Sequence, residues 1–570
     1  MNTTLDLHNV IQPHEMASQI TDKWNSWNTL RKEWVDQKRE LRNYLYAVDT
    51  TTTSNKKLPW SNSTTTPKLT QIYDNLKANY TAALFPNSKW MRWEGEDSDA
   101  VTKGKRDVVE AYMNNKVRQS NFQTVMDRLV DDYILYGNCF ATVTFETNYT
   151  EVNGEMFTGY VGPRVVRISP HDIVFNPVSA EFRKTPKIIR SILTLGEAKK
   201  RMEPAVFKRL LSNRAQVGSA PNVDKADGFI ADGFSTIQHY YGSDYVEILT
   251  FYGDIYDKTN DALKENVEIQ IVDRAYVIHD EPIASWLGSA PVFHAGWRSR
   301  PDNLYAMGPL DNLVGMQYRI DHLENLKADV FDQIALPIQK IRGDVEDYTY
   351  EPGAKIIMGE EGDVTYLVPD ATALQADFQI RSLEDKMEEL AGAPRQAMGI
   401  RTPGEKTAYE VQTLQNSAGR IFQNKASKLE IEFIEPILNA MLESARRNMD
   451  TSDLIRVLDD ETGAILFQQI TKEDITAKGK IVPVGARHFA ERAQRVQDIT
   501  TLTQTKATIQ DVGVHLSGKK IAELLAFELG EPSLYGENIA VQEGLETQQA
   551  SQNAEASNME NLAVAQEIGI

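Results

Sequence analysis

The sequence has a single cysteine, Cys139, among its 570 residues. One thiol can neither form an intramolecular disulfide nor supply a cysteine-based zinc site, so we expect a fold held by packing in a reducing compartment. No run of eighteen apolar residues occurs, and residues 1–13 lack the basic start and apolar stretch of a signal peptide. The sequence therefore predicts neither a membrane span nor a secretory leader.

Positive charge is also scarce, with 61 Lys and Arg against 81 Asp and Glu, a formal net charge of −20. Net charge therefore cannot steer the protein toward nucleic acid, although a local basic ring is compatible with an acidic whole. The hydrophobic share of 41% and the charged share of 25% are close to globular averages, which excludes a disordered scaffold. The length corresponds to about four domain-equivalents, or fewer if one is elongated.

Complete catalytic, nucleotide-binding and metal-binding motifs are absent. Residues 399–407 imitate a phosphate-binding loop, but Glu405 stands where the lysine must follow the second glycine. Asp131 and Asp132 are adjacent, so they point to different faces of a helix, which favours a solvated face over a magnesium site. Cys139 has no basic neighbour in sequence and is expected to be a buried structural thiol. We therefore expect no enzyme activity, no cofactor and no metal.

The first 300 residues predict an α+β domain. Apolar residues recur every three to four positions over residues 14–48, which predicts one long helix whose tryptophans, Trp24, Trp27 and Trp34, belong to the core rather than to an interface. Further helices are predicted at 67–84, 107–118 and 122–136, and a helical hairpin at 195–211. Alternating β-branched and aromatic residues predict strands, several of them antiparallel, at 138–147, 159–168, 238–252 and 267–279.

The second half of the chain is predicted to be mainly helical. Helices are expected at 308–335 and 376–390 around a small β-rich insertion, 338–367, and a third helix, 407–448, should kink at Pro436. Three short strands follow near 454–457, 465–467 and 481–484. The acidic C-terminal tail is either a solvated helix or disordered. Apolar residues on more than one side of the 308–335 helix favour packing against identical copies; they are Val314, Met316, Tyr318, Phe331 and Leu336.

Three stretches of this sequence resemble a known family. They are YAMGPLDNL at 305–313, GEKTAYEV at 404–411 and VPVGARHFAER at 482–492. Together with the element order, they resemble the portal, or head-to-tail connector, proteins of tailed bacteriophages, most closely those of short-tailed phages. The first resembles the entrance to the portal stem, the second the passage after the tunnel loop, and the third the C-terminal part of the connector.

The resemblance implies a domain layout. The wing would comprise residues 1–307 and 407–490, the two stem helices 308–337 and 376–392, the clip 338–375, the tunnel loop 393–406, and the crown with its tail 491–570. It also implies a homo-oligomeric ring, usually of twelve subunits, at one capsid vertex of the virion, assembled in the host cytoplasm. Double-stranded DNA would pass through the axis, and the implied protein partners are the terminase large subunit, major capsid and scaffolding proteins, and tail adaptor or nozzle proteins.

Candidate site residues follow from this layout. Arg395, Arg401 and Lys406 lie on the tunnel loop and would contact DNA phosphates without reading sequence, unless they pair with Glu405, Glu410 or solvent. Loop hinges are assigned to Gly399, Pro403 and Gly404, where simple helix termination is the alternative. Clip-surface docking positions are Lys340, Arg342 and Lys355, which otherwise are solvated edge charges. Two other functions stay open: a tail adaptor or nozzle ring, and a packaging enzyme.

Overall fold

The computed structural model describes residues 4–46, 62, 64–85, 90–95, 100–152, 155–179, 181–217, 245–347, 355–368, 375–391, 422–449, 452–458, 465–476 and 478–483, with the single residues 499, 503, 521 and 548. The chain divides into two compact units, 1–457 with 466–486, and 458–465 with 487–570. Apart from the strand ends Leu458 and Ile465, every element below belongs to the first unit. Its mixture of helices and strands agrees with the predicted α+β class.

The N-terminal helical region is divided where one helix was predicted. After strand β1 (Thr4–Leu7), helix α1 runs over Pro13–Leu30 and helix α2 over Lys32–Leu45. The break is at Arg31, whose buried guanidinium donates to the carbonyls of Pro170, His171 and Ile173 at 2.6–2.7 Å. The prediction of an unbroken helix was wrong because this long-range contact is invisible in the local periodicity.

Five helices and strands of three sheets follow in the body of the first unit. Helix α3 is Lys68–Leu84, strand β2 Met91–Gly95, α4 Ala100–Gln119 and α5 Phe122–Leu135. The long antiparallel hairpin of β3 (Asn138–Val152) and β4 (Glu155–Ile168) follows. Strands β5 (Ile173–Phe175) and β6 (Lys187–Thr194) precede the helical hairpin of α6 (Leu195–Arg201) and α7 (Pro204–Val217). The helices and strands predicted in this region are thereby confirmed, with shifted ends.

The larger sheet has the order β5-β6-β7-β8-β9, and β1 pairs in parallel with the end of β7. Strand β7 is Tyr245–Asp257, β8 Ala262–Val272 and β9 Tyr276–Pro282. The last two were predicted as one strand. The Ala275 N–H donates to the Val272 carbonyl at 3.0 Å and closes the turn between them. Its central residues, Asp273 and Arg274, have positive φ of 44° and 61°, but the turn lacks the glycine or asparagine that would signal it.

Helix α1 packs on one face of this sheet. The side chains of Trp24 and Trp27 are buried in one cluster with Leu249 and Phe251. Trp34 is half-buried, and its ring lies 5.1 Å from that of Tyr305 and 6.1 Å from that of Tyr136. Trp24 and Trp27 thus lie in the core as predicted, and Trp34 packs partly buried against it.

The remaining elements include the helix–hairpin–helix that the sequence predicts. Strand β10 (Val292–Gly296) pairs with β3, and β11 (Arg298–Arg300) with β12 (Asn303–Met307). A 3₁₀ turn, Asp311–Leu313, leads into α8 (Val314–Ala335). An antiparallel hairpin, β13 (Ile338–Arg342) and β14 (Asp363–Leu367), separates α8 from α9 (Asp377–Ala391).

The last long helix is irregular at the predicted position. Residues 422–429 are α-helical, Glu430–Ile434 form a π-helical turn, and α10 continues over Glu435–Asn448. Pro436 has no backbone N–H to donate one turn back, which accounts for the widened turn before it. Strands β15 (Ser452–Leu458) and β16 (Ile465–Thr471) pair, and β17 (Gly479–Pro483) pairs with β2.

Candidate assembly surface

Helices α8 and α9 with the hairpin β13–β14 form a projection that we call the arm, residues 314–391. The chain enters it through Gly308, whose backbone lies so close to Gly137 that a Cβ on Gly137 would stand 2.3 Å from the Gly308 nitrogen. Gly137 has φ of 68°, which also favours glycine. The backbones therefore touch where α8 leaves the body, and a side chain at Gly137 would separate them.

Two ion pairs, one partly buried and one buried, fasten the base of the arm to the body. The ammonium of Lys38 on α2 pairs with Asp311, just before α8. Burial lowers the pKa of Lys38, while the adjacent carboxylate opposes that shift. The ammonium of Lys68, at the start of α3, lies 2.6 Å from Oε1 of Glu388 near the end of α9, and both side chains are less than 8% exposed. One charge pair thus fixes the turn just before α8, and the other fixes the end of α9.

A ladder of side chains on α8 holds the segment before α3. We call this segment, residues 62 and 64–66, the strap. It lies along four α8 side chains that are spaced four residues apart: Gln317, Asp321, Asn325 and Asp329. The backbone N–H groups of Asn62, Thr64 and Thr66 donate to Asp329, Asn325 and Asp321 at 2.6, 2.8 and 2.9 Å.

Two of the ladder amides also donate to backbone carbonyls. Nε2 of Gln317 donates to the Thr66 carbonyl at 2.6 Å, and Nδ2 of Asn325 to the Thr64 carbonyl at 3.0 Å. Helix side chains thereby satisfy backbone N–H and C=O groups of the strap that are not paired in a sheet.

Among the ladder side chains, the buried carboxyl of Asp321 carries an electrostatic cost when it is ionised. Its side chain is fully buried; Oδ1 accepts from Thr66 and Gln317, whereas Oδ2 has no hydrogen-bond partner among the described residues. Burial raises the pKa of Asp321 to about 6, and the two hydrogen bonds only partly oppose the shift. A carboxyl with a raised pKa stabilises the fold below its unfolded pKa, and this stabilisation is lost as pH rises through about 6.

Asp321→Asn is therefore expected to raise the thermal midpoint at pH 7.5 and to lose that advantage at pH 4.5. Thermal unfolding of both proteins across this range measures the difference. Asp363→Asn, at an exposed position of β14, controls for removal of one negative charge. A difference between wild type and D321N that does not change with pH would contradict this account.

In its described residues, the distal part of the arm has no core of its own. Among the described residues from 326 to 379, none is buried. Lys327 of α8 and Asp377 of α9 join the two helices by a 2.7 Å ion pair, but large apolar side chains around them face solvent. These are Leu326, Phe331, Leu336, Ile338, Ile341, Ile357, Met358, Tyr366, Leu367, Val368 and Phe378. Several large exposed apolar side chains on one part of a fold are typical of a surface that contacts a protein, a membrane or a ligand.

The predicted clip residues lie at this end of the arm. Lys340 and Arg342 are on β13, opposite Thr365 and Asp363, and Lys355 follows in the loop; all three are exposed. Within the described part of the chain, none of the three is in an ion pair. The structure thus brings them to one hairpin, and their docking role stays a prediction.

The predicted tunnel-loop residues cannot be placed. Arg395, Arg401 and Lys406, and the hinge residues Gly399, Pro403 and Gly404, lie outside the described residues, as does the region that imitates a phosphate loop. Most of the crown and tail, 491–570, also lies outside them.

The carboxylates considered for a metal site are separated. The side chain of Asp132 is buried and bound by Arg167 at 2.6 Å through both oxygens, whereas Asp131 pairs with Lys77 at 2.9 Å. They point apart as predicted, but Asp132 is in the interior and not on a solvated face, and burial raises its pKa to about 6 despite Arg167. Nowhere in the described ranges do three His, Cys, Asp or Glu side chains come together as a metal site.

The prediction for Cys139 is confirmed. Its thiol is buried, and burial raises its pKa well above the ordinary value. A thiol held in this protonated form is a poor nucleophile. Across the described residues, no helix has both the length and the apolar character needed to cross a bilayer.

Sequence reasoning missed the anchors of the arm. The ladder does leave a signal, because Gln317, Asp321, Asn325 and Asp329 form a polar row at helical spacing in a helix of alternating apolar and polar residues. The partners of Lys38 and Lys68 leave none, since each lies more than 250 residues away.

Comparison with known families concerns the N-terminal part of the chain. A family model described as bacteriophage head to tail connecting protein matches residues 17–153, from within α1 to the end of β3. The match covers about a quarter of the 570 residues and does not reach the arm. No curated protein matches the chain. The family match supports a role as a bacteriophage head-to-tail connector protein.

Proposed function

We propose that this protein is a portal subunit of the kind found in short-tailed phages, which assembles through its arm into a ring of about twelve copies at one capsid vertex. The ring is a passive conduit for double-stranded DNA during packaging and ejection. It takes part in assembly with scaffolding and major capsid proteins, anchors the terminase large subunit during filling, and binds tail adaptor or nozzle proteins afterward.

The observation that carries the proposal is the unburied apolar surface of the arm. Its large exposed side chains stand on α8, on the hairpin and on α9, and on α8 alone Leu326, Phe331 and Leu336 are five residues apart, so about 140° of turn separates each from the next. A single partner would cover one side, whereas two identical neighbours in a ring cover both, because head-to-tail contacts that close give cyclic symmetry. The base of the arm is fixed by one buried and one partly buried ion pair, so the arm is presented in one orientation.

The net charge is compatible with a conduit. A strongly basic channel would hold DNA by releasing counterions, whereas a chain of net charge −20 with few cations binds it weakly and lets it slide. Catalysis is not part of the proposed role.

The first experiment is negative-stain electron microscopy of the purified protein, with particle mass from light scattering. A ring of about twelve subunits with an axial hole and a narrow stalk is the expected result. A flat ring without a stalk would favour a tail adaptor or nozzle component, and a small oligomer that hydrolyses ATP would favour a packaging enzyme.

Replacing Arg395, Arg401 and Lys406 together by alanine is expected to leave ring assembly intact and to impair DNA packaging or retention. The reason is loss of phosphate contacts along the channel. Packaged DNA per particle, measured in an assembly or complementation assay, tests the claim. Normal packaging and retention by the triple variant would remove the proposed role of the loop.

A further inference from the structure

Basic side chains from two separate parts of the chain meet on one surface of the body. Two of them lie at the ends of strand β11 and two on the helical segment 422–429. We call them the basic cluster: Arg298, Arg300, Lys425 and Lys428. In a chain with a formal net charge of −20, such a group of neighbouring cations is a local exception.

Contacts with the start of β11 bring three of these cations side by side. The ring centre of Trp297, which precedes β11, lies 4.8 Å from the ammonium of Lys425 and 5.1 Å from Cζ of Arg298. The Lys425 ammonium also donates to the Trp297 carbonyl at 2.6 Å, and the Lys428 ammonium donates to Oγ of Ser299 at 2.6 Å. The helical segment is thereby bound to the strand through its lysines.

Arg300 is fixed by the hairpin to which it belongs. Its Nε and Nη2 donate to the Tyr305 carbonyl on β12 at 3.2 and 2.8 Å. All three residues of β11 are exposed, so this guanidinium is held on an open strand.

The basic cluster lies beside the entrance to the arm. The backbone N–H of Trp297 donates to the Gly137 carbonyl at 2.9 Å, and Gly137 is the residue whose backbone touches Gly308. A ring assembled through the arm therefore repeats the cluster once per subunit, next to the base of each arm.

Little negative charge compensates the basic cluster. Among the described residues, Glu432 is the one carboxylate in an ion pair with any of its members, 3.6 Å from the ammonium of Lys428. Asp302, at the tip of the hairpin, is exposed. Burial, and then the positive charges of Lys428 and Arg298, lower the pKa of Lys425, which Glu432 only partly opposes. The cations thus repel one another, and a bound polyanion would relieve that repulsion.

The side chains around these cations favour phosphate over protein as the partner. On β11 the exposed side chains are Arg298, Ser299 and Arg300, and Asn424 is exposed one turn before Lys428. Arginine, lysine, serine and asparagine are side chains that commonly contact DNA phosphates. Within β11 and residues 422–429, no large apolar side chain is exposed, whereas the centre of a protein interface is usually apolar.

We propose that the basic cluster binds the phosphate backbone of double-stranded DNA. Its guanidinium and ammonium groups contact phosphates without reading the bases. A few such contacts per subunit, repeated around a ring, hold DNA loosely and let it slide. That the polyanion is DNA rests on the proposed function, but binding of a duplex to the cluster can be measured whether or not a ring forms.

Fluorescence anisotropy of a short labelled duplex with the full-length protein tests the proposal. Wild type is expected to bind saturably at about 50 mM salt and more weakly as salt rises to about 200 mM. The double variant R298Q/K428Q should bind about tenfold more weakly or worse at the lower salt, and the slope of log K against log salt should fall by about 2. Glutamine at 428 keeps an N–H donor for Ser299, so the change removes charge rather than the link to β11.

The matched control removes one lysine and one arginine from another exposed place. Lys208 and Arg209 are exposed on α7, and Cζ of Arg209 lies 5.8 Å from the ring centre of Tyr276, much as Arg298 lies over Trp297. K208Q/R209Q should bind the duplex with the slope of wild type. Light scattering on the same samples reports assembly, so an effect on the ring is separated from an effect on DNA binding.

Arg298→Gln alone keeps the test decisive if the double variant does not fold, because no described hydrogen bond involves the Arg298 side chain. Its slope should fall by about 1. The proposal is overturned by a wild type that does not bind the duplex at the lower salt, or by cluster and control variants that bind alike. Binding of polyglutamate in place of the duplex would also overturn it, in favour of an acidic protein partner. Any of these results with intact rings would leave the proposed ring standing.

Discussion

Replacing Phe331, Leu336 and Phe378 together by glutamine is expected to leave the chain folded but to abolish its assembly. These side chains are 61%, 68% and 83% exposed, so the isolated subunit loses little packing when they change. Burying a large apolar side chain contributes roughly 1.5–3 kcal/mol, and three such losses at each interface lower the association constant by several orders of magnitude. Light scattering should then report monomers with an unchanged circular dichroism spectrum.

The matched control replaces three apolar residues that are equally exposed but lie elsewhere. Ile11, Leu30 and Leu263 are 73%, 64% and 55% exposed, and none belongs to the arm. Their replacement by glutamine should leave assembly as in wild type. Assembly by the arm variant would exclude the arm as the interface, and failure of the control variant would show that the effect is not specific to the arm.

Lys68→Met is expected to destabilise the protein by about 3–5 kcal/mol, the range found when one partner of a buried ion pair is removed. The carboxylate of Glu388 would remain almost fully buried without the ammonium that lies 2.6 Å from it. The double variant K68M/E388L should recover most of the loss, because apolar side chains of similar size often replace a buried pair without cost. Urea unfolding monitored by circular dichroism measures all three proteins.

An exposed pair provides the comparison for this ion pair. Lys264 and Asp280 lie 2.9 Å apart, but their side chains are 41% and 32% exposed. Lys264→Met should cost no more than about 1 kcal/mol, as is usual for pairs near solvent. If K68M were no more destabilising than K264M, the Lys68–Glu388 pair would not anchor the arm.

The arm could be predicted from the sequence because its pattern is local. An apolar helix, a glycine-bearing stretch of alternating residues and a second helix suffice to predict two helices around a β-hairpin. The division of the first helix at Arg31 could not be predicted, since its cause is a set of carbonyls 139–142 residues away. The β8–β9 turn was missed because Asp273 and Arg274 adopt positive φ, whereas glycine and asparagine are the residues that usually signal such a turn.

The candidate surface was predicted only in part. Tyr318, Phe331 and Leu336 were expected to face neighbouring subunits, and all three are exposed. Val314 and Met316, named with them, are partly buried and pack against the largest core cluster of the body. Helical periodicity cannot separate these two groups, because it gives the direction of a side chain but not how far the supporting body extends along the helix.

The spacing of the ladder side chains on α8 limits how many of them can hydrogen-bond to the strap. Four residues of helix advance about 6.0 Å, whereas two residues of extended chain advance about 6.6 Å, so helix and strap fall out of phase by about 0.6 Å at every rung. Positions four apart also turn about 40° around the helix axis. After three or four rungs the mismatch reaches about 2 Å, more than a hydrogen bond tolerates. The helix repeat and the chain repeat therefore match over only these few positions, so the hydrogen bonds fix one register for the strap.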